Sequence, residues 1–411
     1  MKTIKFVVMC LFFGFSAANM AFAQTFNGGN NGYDFNQEGY RIGDNEFNDV
    51  IGKQIGPINL KAKASSEMDY DSNIFWTPND KKSDSINVTS PAVLVNMPLG
   101  IDQRHLLQLM YNADIGTFSK YSSQNYVNQY GAFNGDFKLP FGYLDVQDQF
   151  DHTSDRAGTE FTSEVVRTDN DASAALGFKF NKLALETGYS DDIHTYESDL
   201  YSEYAYTEDM VSETAYYQLF PKTKALVEYD HGWITYYKDD FRNGAYDQER
   251  VGLKGDITGK TQALIKVGYQ DRTYDNITGF SGFVAEVGTI TEFTERTKLS
   301  LTYDQGAEES TYLNDNYYDM HYFYATLDQK LMSHLNLQLT SGISRNNYPE
   351  VDPTLFQKRQ DSILVEGIAF KYNIKQWASA KISYTFREDM SNIEAESYND
   401  HLVTAGFEVQ F

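Results

Sequence analysis

Apolar and polar residues alternate with a period of two along most of this chain, and this pattern limits the fold more than any other feature. In residues 335–344, for example, Leu335, Leu337 and Leu339 are separated by polar residues. Successive side chains of a β-strand point to opposite faces, so each such segment has one apolar and one polar face. The alternation, which begins near Leu60, predicts an all-β protein.

The lengths of these segments and of their connections distinguish a membrane barrel from a soluble sandwich. The segments run about ten to twelve residues, the length that a tilted strand needs to cross a bilayer, whereas sandwich strands average about six. Short connections alternate with long polar ones, as in outer-membrane barrels. The 31 tyrosines cluster toward segment ends, as expected for aromatic girdles. The short connections centre near Gly100, Pro140, Asn181, Lys222, Gly259, Thr294, Met332 and Ile374.

Counting the segments predicts a transmembrane antiparallel β-barrel of about 18 strands, with short periplasmic turns, long acidic outer loops and both termini on the periplasmic side. The first strand covers about residues 60–70 and the last covers 401–411. Sixteen strands is the alternative, because the second strand contains Pro91, which cannot donate a ladder hydrogen bond. The segments 126–137 and 141–152 also alternate poorly.

Residues 1–23 have the pattern of a signal peptide. A basic start is followed by an apolar stretch from Phe6 to Phe15, and Ala21-Phe22-Ala23 supplies the small residues of a cleavage site. The single cysteine, Cys10, lies within this segment. The sequence therefore predicts an exported protein whose mature chain has no thiols or disulfides.

Residues 24–59 are rich in glycine, asparagine and acidic residues and show no periodicity. This composition predicts a flexible periplasmic N-terminal segment, which precedes the barrel at residues 60–411. A plug that enters the pore is the alternative for residues 24–59. No other domain is predicted.

The chain is acidic, with a formal net charge of −24. This excludes nucleic acid as a partner, because phosphate affinity requires clustered lysine and arginine. Sorted by the predicted topology, the whole net charge falls on the outer loops. Two interpretations stay open: an acidic vestibule that concentrates cations, or solvated loops bridged by divalent cations to lipopolysaccharide. The residues predicted to line the pore form a nearly balanced set: Lys179, Lys224, Glu228, Asp230, Arg250, Lys254, Lys266, Glu286, Lys298, Asp304, Asp328, Glu366, Lys381, Arg387 and Glu408.

The last strand has a specific sequence pattern. Val403 and Ala405 share one predicted face with Phe407, Val409 and Phe411, and the chain ends at that phenylalanine. An alternating final strand with a C-terminal Phe resembles the signal that the bacterial outer-membrane assembly machinery reads. We therefore expect Phe407, Val409 and Phe411 to act as the assembly signal, and outer-membrane lipid and lipopolysaccharide to surround the barrel.

The sequence predicts no metal site and no cofactor. Residues 69–73 begin like a calcium-binding loop, since Asp69, Asp71 and Asn73 alternate there. However, Ile74 and Asp80 stand where such a loop needs Gly and Glu. The segment is therefore not expected to bind calcium.

The chain is not expected to be an enzyme. His152-Thr153-Ser154 is similar to the His-x-Ser of an outer-membrane phospholipase, but Glu164 stands near the place of that enzyme's asparagine. Without a group that orients the histidine, the nucleophile is not activated. His194, Asp191 and Asp192 could be sought as a protease set, but seven histidines in an acidic chain produce such neighbours by chance.

One stretch resembles a known family. Gly56-Pro57-Ile58-Asn59-Leu60 leads through Met68-Asp69-Tyr70 to Asp71-Ser72-Asn73-Ile74-Phe75, then to Thr77-Pro78-Asn79 and Lys82-Ser83-Asp84. This stretch is similar to the entry hairpin of the β-barrel porin 2 family. The resemblance implies an outer-membrane barrel, often linked with export of extracellular polysaccharide, and it carries over no catalytic residues.

The expected function is an outer-membrane channel for passive diffusion or export of hydrophilic solutes. A conduit for polysaccharide, working with polysaccharide-export components, is the specific variant. The alternative is a non-conducting surface, adhesion or structural protein of the outer membrane.

Overall fold

The computed structural model describes residues 47, 50, 52–100, 102–155, 160, 165–275, 278–312, 315–353 and 355–411. The predicted signal peptide and residues 24–46 therefore lie outside the described residues. One short strand precedes eighteen long ones. The strands are β1 (Lys53–Ile55), β2 (Ile58–Asp71), β3 (Asp84–Leu99), β4 (His105–Phe118), β5 (Tyr126–Leu139), β6 (Gly142–Thr153), β7 (Arg167–Phe180), β8 (Leu183–Tyr196), β9 (Tyr206–Phe220), β10 (Thr223–Tyr236), β11 (Gly244–Asp256), β12 (Thr261–Tyr274), β13 (Phe280–Thr294), β14 (Thr297–Glu309), β15 (Tyr317–Met332), β16 (Leu335–Val351), β17 (Lys358–Lys375), β18 (Ala378–Ser391) and β19 (Tyr398–Gln410).

The strands β2 to β19 form a closed antiparallel barrel. Each strand pairs with the next one along the chain, and β19 pairs with β2 from Leu402↔Asp71 to Gln410↔Lys63. The prediction of eighteen strands is confirmed, and the alternative of sixteen is wrong. Closure gives each barrel strand a hydrogen-bonded neighbour on both sides over at least part of its length, as is required where no water is present to bind backbone groups.

Pro91 lies within β3 at a place where its missing N–H is tolerated. On one side β2 pairs with it, Ala64 standing opposite Pro91. On the other side the pairing with β4 stops at Thr89↔Ile115 and resumes at Ala92↔Asn112. The two segments that alternate poorly, β5 and β6, also form regular strands.

The strands are longer than predicted and the outer loops are shorter. The strands β2 to β19 run from 12 residues in β6 to 18 in β17. The sequence pattern predicts a loop over residues 191–213, but the connection between β8 and β9 spans only residues 197–205, because pairing continues far above the short turns. Many charged residues that the sequence assigned to loops therefore stand on strands.

The two faces of the wall have different chemistry. On β10, the exterior side chain of Val227 is 60% exposed, whereas its neighbour Glu228 points into the lumen and is 7% exposed. The exterior carries apolar and aromatic side chains along each strand, as a lipid-facing surface requires. Phe407 and Val409 of β19 belong to this exterior face, with Val403 and Ala405. Among the described residues, no helix has the length and hydrophobicity to span a membrane.

Candidate functional site: the barrel lumen

Fourteen of the fifteen residues predicted to line the pore lie on the lumen face. They sit in register across neighbouring strands, as Glu228 does with Arg250 and Lys266 does with Glu286. The exception is Glu366, so that prediction is wrong. It stands on the exterior of β17 in line with Ile368, and Ser341 donates a hydrogen bond to it at 2.8 Å.

Glu366 was assigned to the wrong face because apolar residues occupy both faces of β17 near it, so alternation does not distinguish the two faces. The lumen face of β17 bears Ile363 and Val365, which are buried against Met320 and Tyr348. Both faces of the strand are thus apolar, and an isolated glutamate could be assigned to either.

Five charged side chains form the central ion-pair network of the lumen wall. Arg250 Nη2 lies 2.9 Å from Asp230 and also contacts Glu228, and its Nη1 lies 3.3 Å from Glu286. Lys266 Nζ lies 3.2 Å from both Glu228 and Glu286. The network joins β10, β11, β12 and β13 at mid-height. All five residues were predicted from alternation, and the structure brings them together.

Other lumen ion pairs combine predicted residues with ones that sequence reasoning missed. Lys381 Nζ lies 3.8 Å from Glu67, and Glu408 lies 3.2 Å from Lys371 Nζ. Glu67 and Lys371 were not assigned to the lumen, although the period of two on β2 could have placed Glu67 there. Lys298, which was predicted, lies 3.7 Å from Asp328.

The outer part of β14 leaves the barrel wall and folds into the lumen. Its pairing with β13 ends at Ala285↔Gln305, whereas its pairing with β15 continues to Glu309↔Tyr317. Above Gln305 the hairpin therefore has no partner on the β13 side. Ala307 and Tyr317, which alternation places on the exterior, are instead buried against lumen side chains of β12 and β13.

Glu309 binds this inturned hairpin to the lumen surface of β10 and β12. Its carboxylate lies 2.6 Å from Arg272 Nη1 and accepts hydrogen bonds from the hydroxyls of Tyr236 and Tyr274 at 2.6 and 2.7 Å. Arg272 is itself buried and stacks over Tyr246. The ion pair and the two tyrosine hydrogen bonds compensate the buried carboxylate of Glu309, and these contacts hold the hairpin in place.

The end of the hairpin, which we call the β14–β15 tip (Ser310–Tyr312 and Asp315–Asn316), spans the outer mouth. Glu160, in the loop between β6 and β7, accepts hydrogen bonds from Ser310 and from the backbone N–H and hydroxyl of Thr311 at 2.6–2.8 Å. Strands β6 and β14 are eight positions apart in the barrel of eighteen, so these bonds join nearly opposite walls. The tip also accepts bonds from Arg242, in the loop between β10 and β11.

A second obstruction lies in the periplasmic half. Phe47 is fully buried against Leu94 and Met110 on the lumen face of β3 and β4. Its backbone carbonyl accepts a hydrogen bond from Lys61 Nζ at 2.9 Å, and Lys63 Nζ lies 5.2 Å from the centre of its ring. We call these contacts the Phe47 anchor.

Gly52 allows the chain to reach this position. Its φ of +70° is unfavourable for other residues, and a Cβ atom there would lie 2.7 Å from Lys61 Cγ and 2.8 Å from the carbonyl oxygen of Leu60. The chain passes closely over the start of β2 after leaving the lumen at Phe47 and Val50. The predicted alternative of a segment that enters the pore thus has structural support at Phe47 and Val50, both buried in the barrel.

The lumen wall of β15 and β16 carries several uncharged polar side chains beside Asp328 and Lys330. Thr326, Asn336 and Thr340 lie there in a continuous patch, and Gln338 donates a hydrogen bond to Asp328 at 2.9 Å. Hydroxyl and amide groups of this kind can exchange hydrogen bonds with water or with an uncharged polar solute.

The candidate catalytic sets do not assemble. Ser154 donates its hydroxyl hydrogen bond to Asn128 at 3.1 Å, whereas His152 bonds to Thr168. His194 bonds to Asp169 at 3.0 Å. Asp191 and Asp192, being consecutive on β8, point to opposite faces of the wall. Glu164, near the place of the phospholipase asparagine, lies outside the described residues.

The calcium-like segment has a structural role. Asp71 accepts a hydrogen bond from the backbone N–H of Asn73, whose side chain in turn bonds to the backbone carbonyls of Thr77 and Asn399. Over the described residues, no group of three or more His, Cys, Asp or Glu side chains is arranged to hold a metal ion. The segment joins the first and last strands instead.

Comparison with known proteins identifies relatives of the fold. A family model described as "Putative beta-barrel porin 2" matches residues 48–411. Among solved structures, the chain is similar to OpdK of Pseudomonas aeruginosa, determined with vanillate, at 8% identity and a TM-score of 0.48, covering 86% of this chain and 99% of that one. It is also similar to OccAB3 of Acinetobacter baumannii, at 10% identity and a TM-score of 0.47, covering 87% and 100%. Comparison with curated proteins gave no match.

Proposed function

This chain belongs to the β-barrel porin 2 family and is a porin-like channel of the bacterial outer membrane, and we propose that it passes small hydrophilic solutes by diffusion. The observation that carries this proposal is a polar lumen that is narrowed at two levels. The β14–β15 tip reaches nearly opposite walls at the outer mouth, and the Phe47 anchor occupies the periplasmic half. A barrel of this size holds an aqueous channel unless it is filled, so the two obstructions set the size limit.

Planar-bilayer recording of the refolded mature protein tests this function. We expect stepwise single-channel currents that are blocked by small polyethylene glycols and unaffected by large ones. A protein that is folded, as shown by its heat-modifiable mobility in gels, but that gives no current steps under any voltage would instead be a surface or structural protein of the outer membrane.

Export of a polysaccharide is a second candidate, supported by the uncharged patch of Thr326, Asn336, Gln338 and Thr340. Hydroxyl and amide side chains suit a neutral sugar chain better than a polyanion. A polymer could thread the barrel only if the β14–β15 tip moved aside. Loss of secreted polymer on deletion of the gene would favour export, whereas unchanged polymer with slower uptake of small solutes would favour diffusion.

A further inference from the structure

The lysines of the lumen are confined to one end of the barrel. Every lysine on the lumen face of the described strands lies within five residues of the periplasmic end of its strand. Some of them stand directly opposite each other: Lys224 pairs with Lys254 across β10 and β11, and Lys371 pairs with Lys381 across β17 and β18. We call this ring the lysine band.

The outer half of the lumen carries more carboxylates than cations, although Arg167, Arg272 and Arg387 also lie there. Asp171, Asp192 and Glu208 stand side by side in register on β7, β8 and β9. Asp151 likewise pairs with Asp169 across β6 and β7. We call this surface the outer acidic zone. It includes residues that the sequence assigned to loops.

Like charges that face each other across neighbouring strands cost folding free energy. The acidic pairs lie mainly in the outer zone and the lysine pairs lie in the band. Asp136 and Asp145 are the exception at the periplasmic end, where Lys138 lies 2.8 Å from Asp136. Opposite charges lie side by side both in the central network and in the lysine band, where Lys298 meets Asp328 and Lys371 meets Glu408, and these pairs stabilise the wall. The like-charged pairs do not stabilise it, and their sign mostly differs between the two ends of the pore, which points to a role in permeation.

We propose that the lumen is a charge-selective, rectifying pore that favours small hydrophilic cations, with the outer acidic zone and the lysine band as its two specificity-determining regions. This inference rests on the proposed diffusion channel. Low-dielectric walls focus the field of the lumen charges. In physiological salt this field extends about 8–10 Å from each charge before counter-ions screen it. Cations accumulate in the outer zone, and the lysine band admits anions from the periplasmic side.

The direction of rectification follows from this order of charges. When the outer side is positive, cations enter through the acidic zone while anions enter through the lysine band, and both accumulate in the lumen. When the outer side is negative, both are drawn out of the lumen and it is depleted. Conductance is therefore higher with the outer side positive.

The experiment uses the mature protein inserted from one side of a planar bilayer, with KCl as the only electrolyte. In a KCl gradient the reversal potential is expected to show selectivity for K⁺ over Cl⁻. In symmetric dilute KCl the current–voltage curve is expected to be steeper when the outer side is positive. Open channels with a linear curve and no selectivity would overturn this inference alone, whereas a folded protein without channels would overturn the proposed function.

Matched variants assign the effect to the two regions. Lys224→Gln with Lys254→Gln is expected to reduce rectification by at least half, and the folded control Lys224→Arg with Lys254→Arg is expected to retain it. Asp171→Asn with Asp192→Asn is expected to lower K⁺ selectivity. Glu366→Gln, on the exterior, is expected to change neither property. Equal effects of the exterior and lumen variants would contradict the assignment.

Discussion

At the scale of single residues, Asn73 shows how a side chain can close the barrel. It is fully buried, yet its amide nitrogen donates to the carbonyls of Thr77 and Asn399, and its amide oxygen accepts from the N–H and hydroxyl of Thr77. Nearby, the Ser72 hydroxyl donates to Asp400. The motif that resembles the family's entry hairpin therefore joins the outer ends of β2 and β19, the first and last strands of the barrel.

Asn73→Ala is expected to weaken this junction. Removing the amide leaves buried carbonyl and N–H groups without partners, at a cost of about 1–3 kcal/mol. We expect a lower urea midpoint in lipid vesicles and heat-modifiable mobility that is lost at a lower temperature. Asn87→Ala, at an exposed position of β3, is the control. Equal stability of the two variants would contradict the role of Asn73.

Asp315, in the loop that forms the β14–β15 tip, makes the tip sensitive to pH. Burial raises the pKa of its carboxyl to about 7, an effect that the hydrogen bond from the backbone N–H of Glu350 opposes and the charge of Glu160 reinforces. In a tip released into water the carboxyl would return to its ordinary pKa of 3.8. Protonation therefore favours the packed tip. The protonated carboxyl stabilises the packed tip fully at a pH below the ordinary pKa, and this stabilisation is lost as the pH rises through about 7.

We expect conductance to fall when the pH is lowered from about 8 to about 5, because the tip then packs more firmly over the mouth. Asp315→Asn, which is uncharged at all pH values, is expected to remove that step while leaving other titrations in place. The measurement is single-channel conductance of both proteins across this pH range. An identical pH response in the variant would exclude Asp315 as its source.

At the scale of elements, the inturned β14–β15 hairpin depends on the buried pair of Arg272 and Glu309. Breaking a buried ion pair by removing one charge typically costs about 3–5 kcal/mol, because the other charge stays uncompensated. Glu309→Gln is therefore expected to release the hairpin from the β12–β13 surface and to raise single-channel conductance. Gln305→Glu, at the last pair of β13 and β14, is a control that leaves Glu309 intact. Unchanged conductance in Glu309→Gln would show that the hairpin does not restrict the pore.

The Phe47 anchor leads to a corresponding prediction about conductance for the periplasmic half of the pore. Truncating a buried phenylalanine typically costs about 3–5 kcal/mol, which exceeds what the remaining contacts of so short a segment can supply. Phe47→Ala is expected to free the segment from Leu94 and Met110 and to raise conductance. Phe241→Ala, at an aromatic residue 67% exposed in an outer loop, is the control. A rise in the control but not in Phe47→Ala would contradict the role of the anchor.

At the scale of the whole molecule, the permeation properties arise from the sum of many lumen charges rather than from one site. The Debye length is about 30 Å at 0.01 M salt and about 3 Å at 1 M, so the field fills the lumen only in dilute electrolyte. We expect the K⁺ to Cl⁻ permeability ratio, measured from reversal potentials, to fall toward unity between these concentrations. Selectivity that is independent of salt would point to a steric filter instead.

The sequence by itself determines the wall of this protein. A period of two is sustained over eighteen segments, which are joined by alternately short and long connections. This pattern specifies the strands, their exterior and lumen faces, and the closed barrel, because each of these depends on local order and on backbone pairing. The lumen positions of Arg250, Lys266 and Glu286 follow from that period alone.

Only the tertiary structure decides what fills and polarises the lumen. The inturned β14–β15 hairpin, the bonds from Glu160 to the tip and the Phe47 anchor join residues that are far apart in the chain and follow no period. The lumen face of β17 carries Ile363 and Val365, which are buried against β15 and β16, so both faces of this strand are apolar and Glu366 could not be placed correctly. The confinement of the lumen lysines to the periplasmic ends of the strands becomes visible only when strand ends are aligned, because the height of a residue in the barrel depends on register and not on composition.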